Sequence, residues 1–130
     1  MDKKKEINQQ KKNWAFTFHN AWNGCWYAFS TQKNFLIHAL VSLFVLLLGL
    51  WLKISFEKYL LLIMAIFWGF TIEMANTVIE KIVDWITKDY HPQAKIIKDV
   101  SAGMMLLLSV GLALLGILIL LPPLLNRLVR

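Results

Sequence analysis

Charged residues and cysteine are both scarce in this chain. Only 17% of its 130 residues are charged and 58% are hydrophobic, which is more apolar surface than a soluble domain of this length buries in one core. Lipid must cover the excess, so the composition predicts an integral membrane protein in contact with the bilayer. The single cysteine, Cys25, excludes an internal disulfide and leaves the redox compartment open.

Glycine is also sparse, and none of the six glycines lies in a Walker or protein-kinase nucleotide loop. The net charge of +6 does not point to nucleic acid, because the lysines cluster at the N-terminus and around one connection instead of alternating with aromatic residues. We therefore expect no nucleic-acid partner. Lysines in this arrangement are typical of topology determinants at a membrane.

Hydrophobic periodicity predicts an all-α membrane protein with a single membrane domain over residues 13–130, preceded by a basic tail over residues 1–12. Aromatic residues recur at helical spacing over residues 14–30, which favours an amphipathic helix at the membrane surface. Transmembrane spans are predicted at about residues 35–52, 59–86 and 99–121. A polar connection is predicted over residues 87–99, and Pro122 and Pro123 are expected to end the third span.

The distribution of lysine predicts an orientation. Ten lysines lie in the N-terminal region and around the connection over residues 87–99, and four basic residues lie on the other side: Lys53, Lys58, Arg127 and Arg130. Cytoplasmic segments carry the excess of basic residues, so the N-terminus and that connection are expected in the cytoplasm. The polar half of the second span then lies at the cytoplasmic end of the membrane, where ATP is found.

The second span changes character midway, where polar side chains enter an apolar helix without a helix breaker. At about 100° per residue they share one face: Glu73, Asn76, Thr77, Glu80 and Asp84. A carboxylate left in hydrocarbon is costly, so this stripe must meet water, protein partners or a cation. The stripe offers both a proton acceptor and hard oxygen ligands for Mg²⁺.

Two other readings of the stripe remain open. Its carboxylates are able to serve structure alone, by pairing with Lys81, Lys95 or Lys98 or by joining helices through polar contacts. Alternatively, Glu73 and Glu80 form the relay of a small ion or proton transporter. Three short spans without an inverted repeat offer little material for alternating access, which speaks against the transporter.

The stripe resembles the signature of a known family. The segment Glu73-Met-Ala-Asn76-Thr77-Val-Ile-Glu80-Lys-Ile-Val-Asp84 is similar to that of the prokaryotic diacylglycerol kinase and undecaprenol kinase family. The likeness continues through Asp89-Tyr90-His91-Pro92, Ala94-Lys95, Lys98-Asp99 and Ala102-Gly103. It implies a bacterial cell-membrane protein with a surface helix and three transmembrane helices in a homotrimeric bundle.

The same resemblance implies a lipid kinase, which moves the γ-phosphoryl group of MgATP to the hydroxyl of a membrane lipid alcohol. Both undecaprenol and diacylglycerol are substrates in the family. The segments Lys-Asn-Phe-Leu-Ile-His and His-Pro-Gln-Ala-Lys look more like the undecaprenol branch. Apolar contacts discriminate poorly between lipid tails, so both substrates stay open.

Roles follow from the resemblance, position by position. Glu73 matches the catalytic base, and Asn76 a residue that orients it. Glu80 matches a ligand of the Mg²⁺ that accompanies ATP. The nucleotide-binding positions are Asp89, Tyr90, His91, Lys98, Asp99 and Glu80. We expect the lipid to contact Glu73 together with the surface-helix residues Trp22 and Trp26.

Gln32 departs from the family pattern, which has a glutamate there that shares the metal with the Glu80 position. An amide offers one weaker carbonyl ligand and no negative charge, so metal affinity is expected to fall. This departure leaves open a further alternative, a catalytically impaired or inactive family member that acts as a membrane scaffold.

The change Gln32→Glu tests the role that the resemblance gives to this position. We expect the glutamate to lower the Mg²⁺ concentration needed for half-maximal lipid phosphorylation, because it adds a charged oxygen ligand. The measurement is a phosphorylation assay over a Mg²⁺ series with the parent chain and the variant. Identical Mg²⁺ curves would mean that residue 32 is not a metal ligand.

Overall fold

The computed structural model describes residues 14–129, so the predicted tail over residues 1–12 lies outside the described residues. Within that range the chain forms four α-helices: α1 (Trp14–Thr31), α2 (Lys33–Leu52), α3 (Phe56–Ile86) and α4 (Pro92–Leu128). Helix α1 and Gln32 belong to one compact unit, and helices α2 to α4 form a second. The predicted all-α class is confirmed.

Helix α1 presents large aromatic side chains at intervals of four residues. Trp14, Phe18, Trp22 and Trp26 are all well exposed, and a spacing of four places them along one face of a helix. The rings of Trp26 and Phe29 stack, with centroids 6.2 Å apart. The helix is therefore present over the predicted range, and its position at the membrane surface stays a prediction.

Helices α2, α3 and α4 are each long and apolar enough to cross a membrane. At a rise of about 1.5 Å per residue, the 20 residues of α2 span about 30 Å, which matches a hydrocarbon core. The 31 residues of α3 span about 46 Å and the 37 residues of α4 about 55 Å. Both longer helices therefore extend beyond the hydrocarbon.

An apolar core joins the three spans at the end where α2 connects to α3. It consists of Leu52, Leu62, Ile119 and Leu120, all less than 9% exposed. Partly buried side chains pack around it: Val45, Leu48, Ile54, Leu115 and Leu124. The polar half of α3 lies at the other end of the bundle, beside the connection between α3 and α4.

Helix α4 begins earlier than the sequence suggested, so the polar connection predicted over residues 87–99 is wrong beyond His91. Pro92 takes the first helical position, where its missing N–H costs no hydrogen bond. Nδ1 of His91 caps the helix by accepting a hydrogen bond from the backbone N–H of Gln93, at 3.2 Å. The prediction relied on polarity alone and therefore took the first two, largely exposed turns of α4 for a loop.

The expectation that Pro122 and Pro123 end the helix of the third span is also wrong, because that helix, α4, continues to Leu128. The two prolines remove two backbone N–H donors, but their fixed φ angle is itself helical. Contacts with α2 hold the final turn. Arg127 donates a hydrogen bond to the backbone carbonyl of Trp51, and its guanidinium carbon lies 4.3 Å from the Trp51 ring centroid.

Helix α2 ends in a Schellman motif with an unusual residue at its left-handed position. The N–H of Lys53 donates to the carbonyl of Leu50 at 3.1 Å, and the N–H of Ile54 donates to the carbonyl of Gly49 at 3.3 Å. Lys53 has a φ of 52°, a region where a Cβ is strained and glycine is favoured. The α2–α3 turn therefore carries backbone strain at Lys53.

Replacing Lys53 with glycine is expected to raise the free energy of unfolding by about 0.5–1 kcal/mol, because relief of the left-handed strain exceeds the entropy that glycine loses. Lys53→Ala is the matched control, since it removes the same charge but keeps the strained Cβ. Unfolding in detergent micelles measures both variants. Equal stability of the glycine and alanine variants would contradict this account of the turn.

Candidate functional site

Four buried polar side chains lie close together where α3 packs against α4. They are Glu73, Asn76 and Thr77 on α3 and Ser101 on α4, and each is at most 7% exposed. We call this group the polar layer. Thr77 donates a hydrogen bond from Oγ1 to the backbone carbonyl of Glu73 at 2.9 Å, so its hydroxyl is satisfied within the helix. Ser101 and Asn76 form a hydrogen bond between α4 and α3, and Oε2 of Glu73 has no partner within the described residues.

A chain of hydrogen bonds runs from α4 through the polar layer to the edge of the bundle. Oγ of Ser101 donates to Oδ1 of Asn76 at 2.6 Å. Nδ2 of Asn76 then donates to Oε1 of Glu80 at 3.1 Å, one turn further along α3. The half-buried Glu80 carboxylate is thus held by an amide that is itself held by a hydroxyl on the neighbouring helix. The expected contact of Asn76 with the Glu73 carboxylate is not formed in the described residues, because the Asn76 amide bonds to Glu80 and Ser101 instead.

Glu73 is the most deeply buried large side chain described, at 2% exposure. Among residues 14–129, its Oε2 is the one buried side-chain nitrogen or oxygen without a hydrogen-bond partner. Burying a carboxyl oxygen without a partner destabilises a fold, and native proteins rarely keep such an atom without a use for it. This unpartnered oxygen belongs to the predicted catalytic base, and its role as a proton acceptor stays a prediction.

The structural alternative, in which acidic side chains pair with lysines, applies outside the polar layer. Nζ of Lys98 lies 2.5 Å from Oδ1 of Asp84 and ties the start of α4 to the end of α3. Lys95 forms a second ion pair with Asp99 along α4. All four of these side chains are at least 41% exposed, so their pairs are open to solvent and to exchange with other anions.

The connection between α3 and α4 holds the remaining predicted nucleotide contacts. Asp89 and Tyr90 are exposed there, and the backbone carbonyl of Asp89 accepts a hydrogen bond from Thr87. His91 uses its Nδ1 to cap α4, as described above. The structure thus places these residues, with Lys98 and Asp99, at the same end of the bundle as the polar layer, and their contact with nucleotide stays a prediction.

The predicted site residues Gln32, Trp22 and Trp26 belong to the other unit, with α1. Nε2 of Gln32 donates to Oγ1 of Thr31 at 3.3 Å. The indole rings of Trp22 and Trp26 are 68% and 61% exposed, so both are open to lipid. Their roles toward metal and lipid stay predictions.

The half-buried carboxylate of Glu80 is the donor that fits a magnesium ion arriving with ATP. Within residues 14–129 no group of three or more His, Cys, Asp or Glu side chains is arranged to hold a metal ion. Mg²⁺ is usually held by one or two carboxylates together with water and substrate phosphates. The half-buried Glu80 carboxylate fits that requirement, so Mg²⁺ bound with the nucleotide fits the residues present.

Ser101 is the one member of the polar layer that sequence reasoning missed. It lies at the start of an apolar run, where a lone serine is easily read as a tolerated small residue. Its spacing of three residues from Lys98 was the available signal, because residues three apart share a helix face. That spacing turns both side chains of α4 toward α3.

Comparison with known proteins decides the family. The family model for prokaryotic diacylglycerol kinase matches residues 19–120. A protein named undecaprenol kinase, from Bacillus subtilis, is 35% identical over 123 residues, which are 95% of this chain and 97% of the relative. The chain belongs to the prokaryotic diacylglycerol kinase family. A diacylglycerol kinase from Synechocystis is 35% identical over 97% of this chain and 73% of its own length.

Membership of the prokaryotic diacylglycerol kinase family confirms the resemblance drawn from the polar stripe. The family's relatives are named as kinases of lipid alcohols, and they give no support to a silent scaffold. A diacylglycerol kinase from Helicobacter pylori is 32% identical over 62% of this chain and of its own length. Both lipid names occur among the relatives, so the comparisons support lipid phosphorylation without choosing the lipid.

Replacing Glu73 with methionine is expected to stabilise the fold by at least about 1 kcal/mol, since it removes an unpartnered buried carboxylate in favour of an apolar side chain of similar length. Glu57→Met, at an exposed position in the first turn of α3, is the control and is expected to lower stability slightly, because an acidic side chain is favoured at a helix N-terminus. Unfolding in lipid micelles measures both. A Glu73→Met chain less stable than the parent would show that Glu73 has a structural partner.

Proposed function

We propose that the chain is an ATP-dependent lipid kinase that phosphorylates the hydroxyl of a membrane lipid alcohol, with undecaprenol preferred over diacylglycerol. The observation that carries the proposal is the buried, unpartnered Oε2 of Glu73, one turn from the hydrogen-bonded Asn76–Glu80 pair. A proton acceptor and a metal ligand are thus held on one helix. The names of the two longest-matching relatives support this reaction class.

Glu73 acts as the general base in this proposal. The lipid hydroxyl meets Oε2 and supplies the hydrogen-bond partner that this atom lacks. As the hydroxyl oxygen forms a bond with the γ-phosphorus, its proton passes to Glu73, and the bond from that phosphorus to the β,γ-bridging oxygen breaks. ADP leaves with the bridging oxygen, and the lipid leaves as a phosphate monoester.

Asn76 and Glu80 position the second reactant, which is ATP with its Mg²⁺. Asn76 keeps the Glu80 carboxylate in place by donating to Oε1, which turns the acidic group toward the edge of the bundle. Glu80 would hold the Mg²⁺ that arrives with ATP, and the ion would supply positive charge to offset that of the phosphates. Orientation of this kind is the main contribution a protein makes to phosphoryl transfer, because little covalent chemistry is required of it.

Lys98 supplies positive charge beside the phosphates. Its present partner, Asp84, is exposed, so the ammonium group is free to move to an ATP oxygen at little cost. Asp89, Tyr90, His91 and Asp99 complete the nucleotide side from the connection and the first turns of α4. Trp22 and Trp26 of α1 stay the predicted contacts of the lipid.

The proposed setting is a bacterial cell membrane, with the N-terminus and the polar layer on the cytoplasmic side. The lysines near the α3–α4 connection support this orientation by the positive-inside rule. We further propose a homotrimer. The family resemblance of the polar stripe supports this assembly, because it implies sites at the boundaries between protomers.

Phosphorylation of defined lipids tests the proposal. The parent chain, in lipid micelles with MgATP, is expected to convert undecaprenol to its phosphate faster than it converts diacylglycerol. Glu73→Gln is expected to lower the rate by at least about a hundredfold, because an amide cannot take the proton. Radiolabelled lipid phosphate measures the rate.

The matched control for this assay is Glu57→Gln, which makes the same change at an exposed position at the far end of α3 and is expected to leave the rate unchanged. A Glu73→Gln chain as active as the parent would remove Glu73 from the chemistry. Absence of product from either lipid at high Mg²⁺, from the parent and from Gln32→Glu, would favour the silent scaffold instead.

A further inference from the structure

We propose that Ser101 is a positioning residue, which fixes the side-chain amide of Asn76 and through it sets the affinity of Glu80 for a divalent metal. The part of this proposal that concerns metal binding rests on the proposed function. The positioning part stands on the hydrogen-bond chain alone, from Ser101 through Asn76 to Glu80. None of the roles argued above requires Ser101.

The two hydrogen bonds of the Asn76 amide use its two ends. The amide nitrogen faces Glu80 and donates to Oε1 at 3.1 Å. The amide oxygen then faces Ser101, at 2.6 Å, and the hydroxyl must donate to it. A hydroxyl is able to rotate toward its partner. The Ser101 hydroxyl therefore donates to Asn76, and the Asn76 amide donates in turn to Glu80.

Burial makes the Ser101 hydroxyl hard to replace. Ser101 is 3% exposed and Asn76 is 7% exposed, so bulk water does not reach the bond between them. Without the hydroxyl, Oδ1 of Asn76 becomes a buried acceptor without a donor, which is costly. Turning the amide over gives no relief, because Oδ1 would then face the carboxylate of Glu80. The remaining response is movement of the Asn76 side chain, which releases Glu80.

The position of Ser101 on α4 couples two contacts. Lys98, three residues before Ser101, reaches Asp84 on α3, and Ser101 reaches Asn76, about two turns from Asp84 along α3. Residues three apart lie on one helix face, so α4 meets the polar side of α3 at both levels. Groups behind a metal ligand orient it, and their loss typically weakens metal binding by about tenfold to a hundredfold.

The substitution Ser101→Ala tests the proposal directly in the full chain. Its matched control is Ser109→Ala, the same change two turns further along α4, at a partly buried serine that takes no part in the hydrogen-bond chain. Ser101→Cys is a second variant that nearly keeps the size of serine but offers only a weak donor, so it separates loss of the hydrogen bond from loss of volume.

The first readout needs no enzyme activity. In the chain labelled with ¹⁵N-asparagine, the side-chain amide signal of Asn76 is identified by its loss in Asn76→Asp. We expect Ser101→Ala and Ser101→Cys to shift this signal and to speed the solvent exchange of its protons, whereas Ser109→Ala leaves it in place. An Asn76 amide that is unchanged in both Ser101 variants would overturn the positioning role, whatever the activities are.

The second readout is the Mg²⁺ dependence of lipid phosphorylation at saturating ATP. Because Ser101 acts through one further residue, we expect Ser101→Ala to raise the half-saturating Mg²⁺ concentration by about threefold to tenfold, with a near-parental rate at high Mg²⁺. A fall in maximal rate with an unchanged Mg²⁺ requirement would overturn the metal-binding part. If the parent chain itself makes no lipid phosphate, the proposed function fails, and the Asn76 signal still decides the role of Ser101.

Discussion

Burial of a carboxylate inside an apolar helical bundle is the constraint on which the rest of this structure depends. Glu73 is 2% exposed and one of its oxygens has no partner in the described chain. Such a group lowers stability, so the surrounding side chains have to limit the cost. The polar layer does this by keeping other polar atoms satisfied: Thr77 bonds within α3, and Asn76 bonds on both sides.

The two ends of the α2–α4 bundle have different tasks. The end at the α2–α3 turn is apolar, with Leu52, Leu62 and Ile119 packed together and Arg127 bound to the end of α2. These contacts stabilise the bundle, and none of their side chains has a role in the proposed reaction. The opposite end carries the polar layer and the exposed ion pairs. A fold stabilised at one end is able to keep a destabilising, reactive group at the other.

Periodicity was enough to predict the helices and to place the acidic stripe on one face of α3, because both depend on local spacing. The contacts between helices were not predictable in the same way. Pairing of Asp84 with Lys98 and of Asn76 with Ser101 depends on the register of α4 against α3, which no single-helix pattern encodes. The extent of α4 was also underestimated, because its first turn is held by the His91 cap and its last by Trp51.

The family match shows the lipid-kinase class, and the assignment of its chemistry to the polar layer is our proposal. The central claim is that nucleotide and metal gather at Glu80, beside Asn76 and Glu73. Mn²⁺ shares the oxygen-ligand preference of Mg²⁺ and broadens the NMR signals of nearby nuclei. We expect Mn²⁺ with a non-hydrolysable ATP analogue to erase the side-chain amide signal of Asn76 and to spare that of Asn126, near the end of α4. Bound nucleotide with an Asn76 signal as sharp as that of Asn126 would contradict the account.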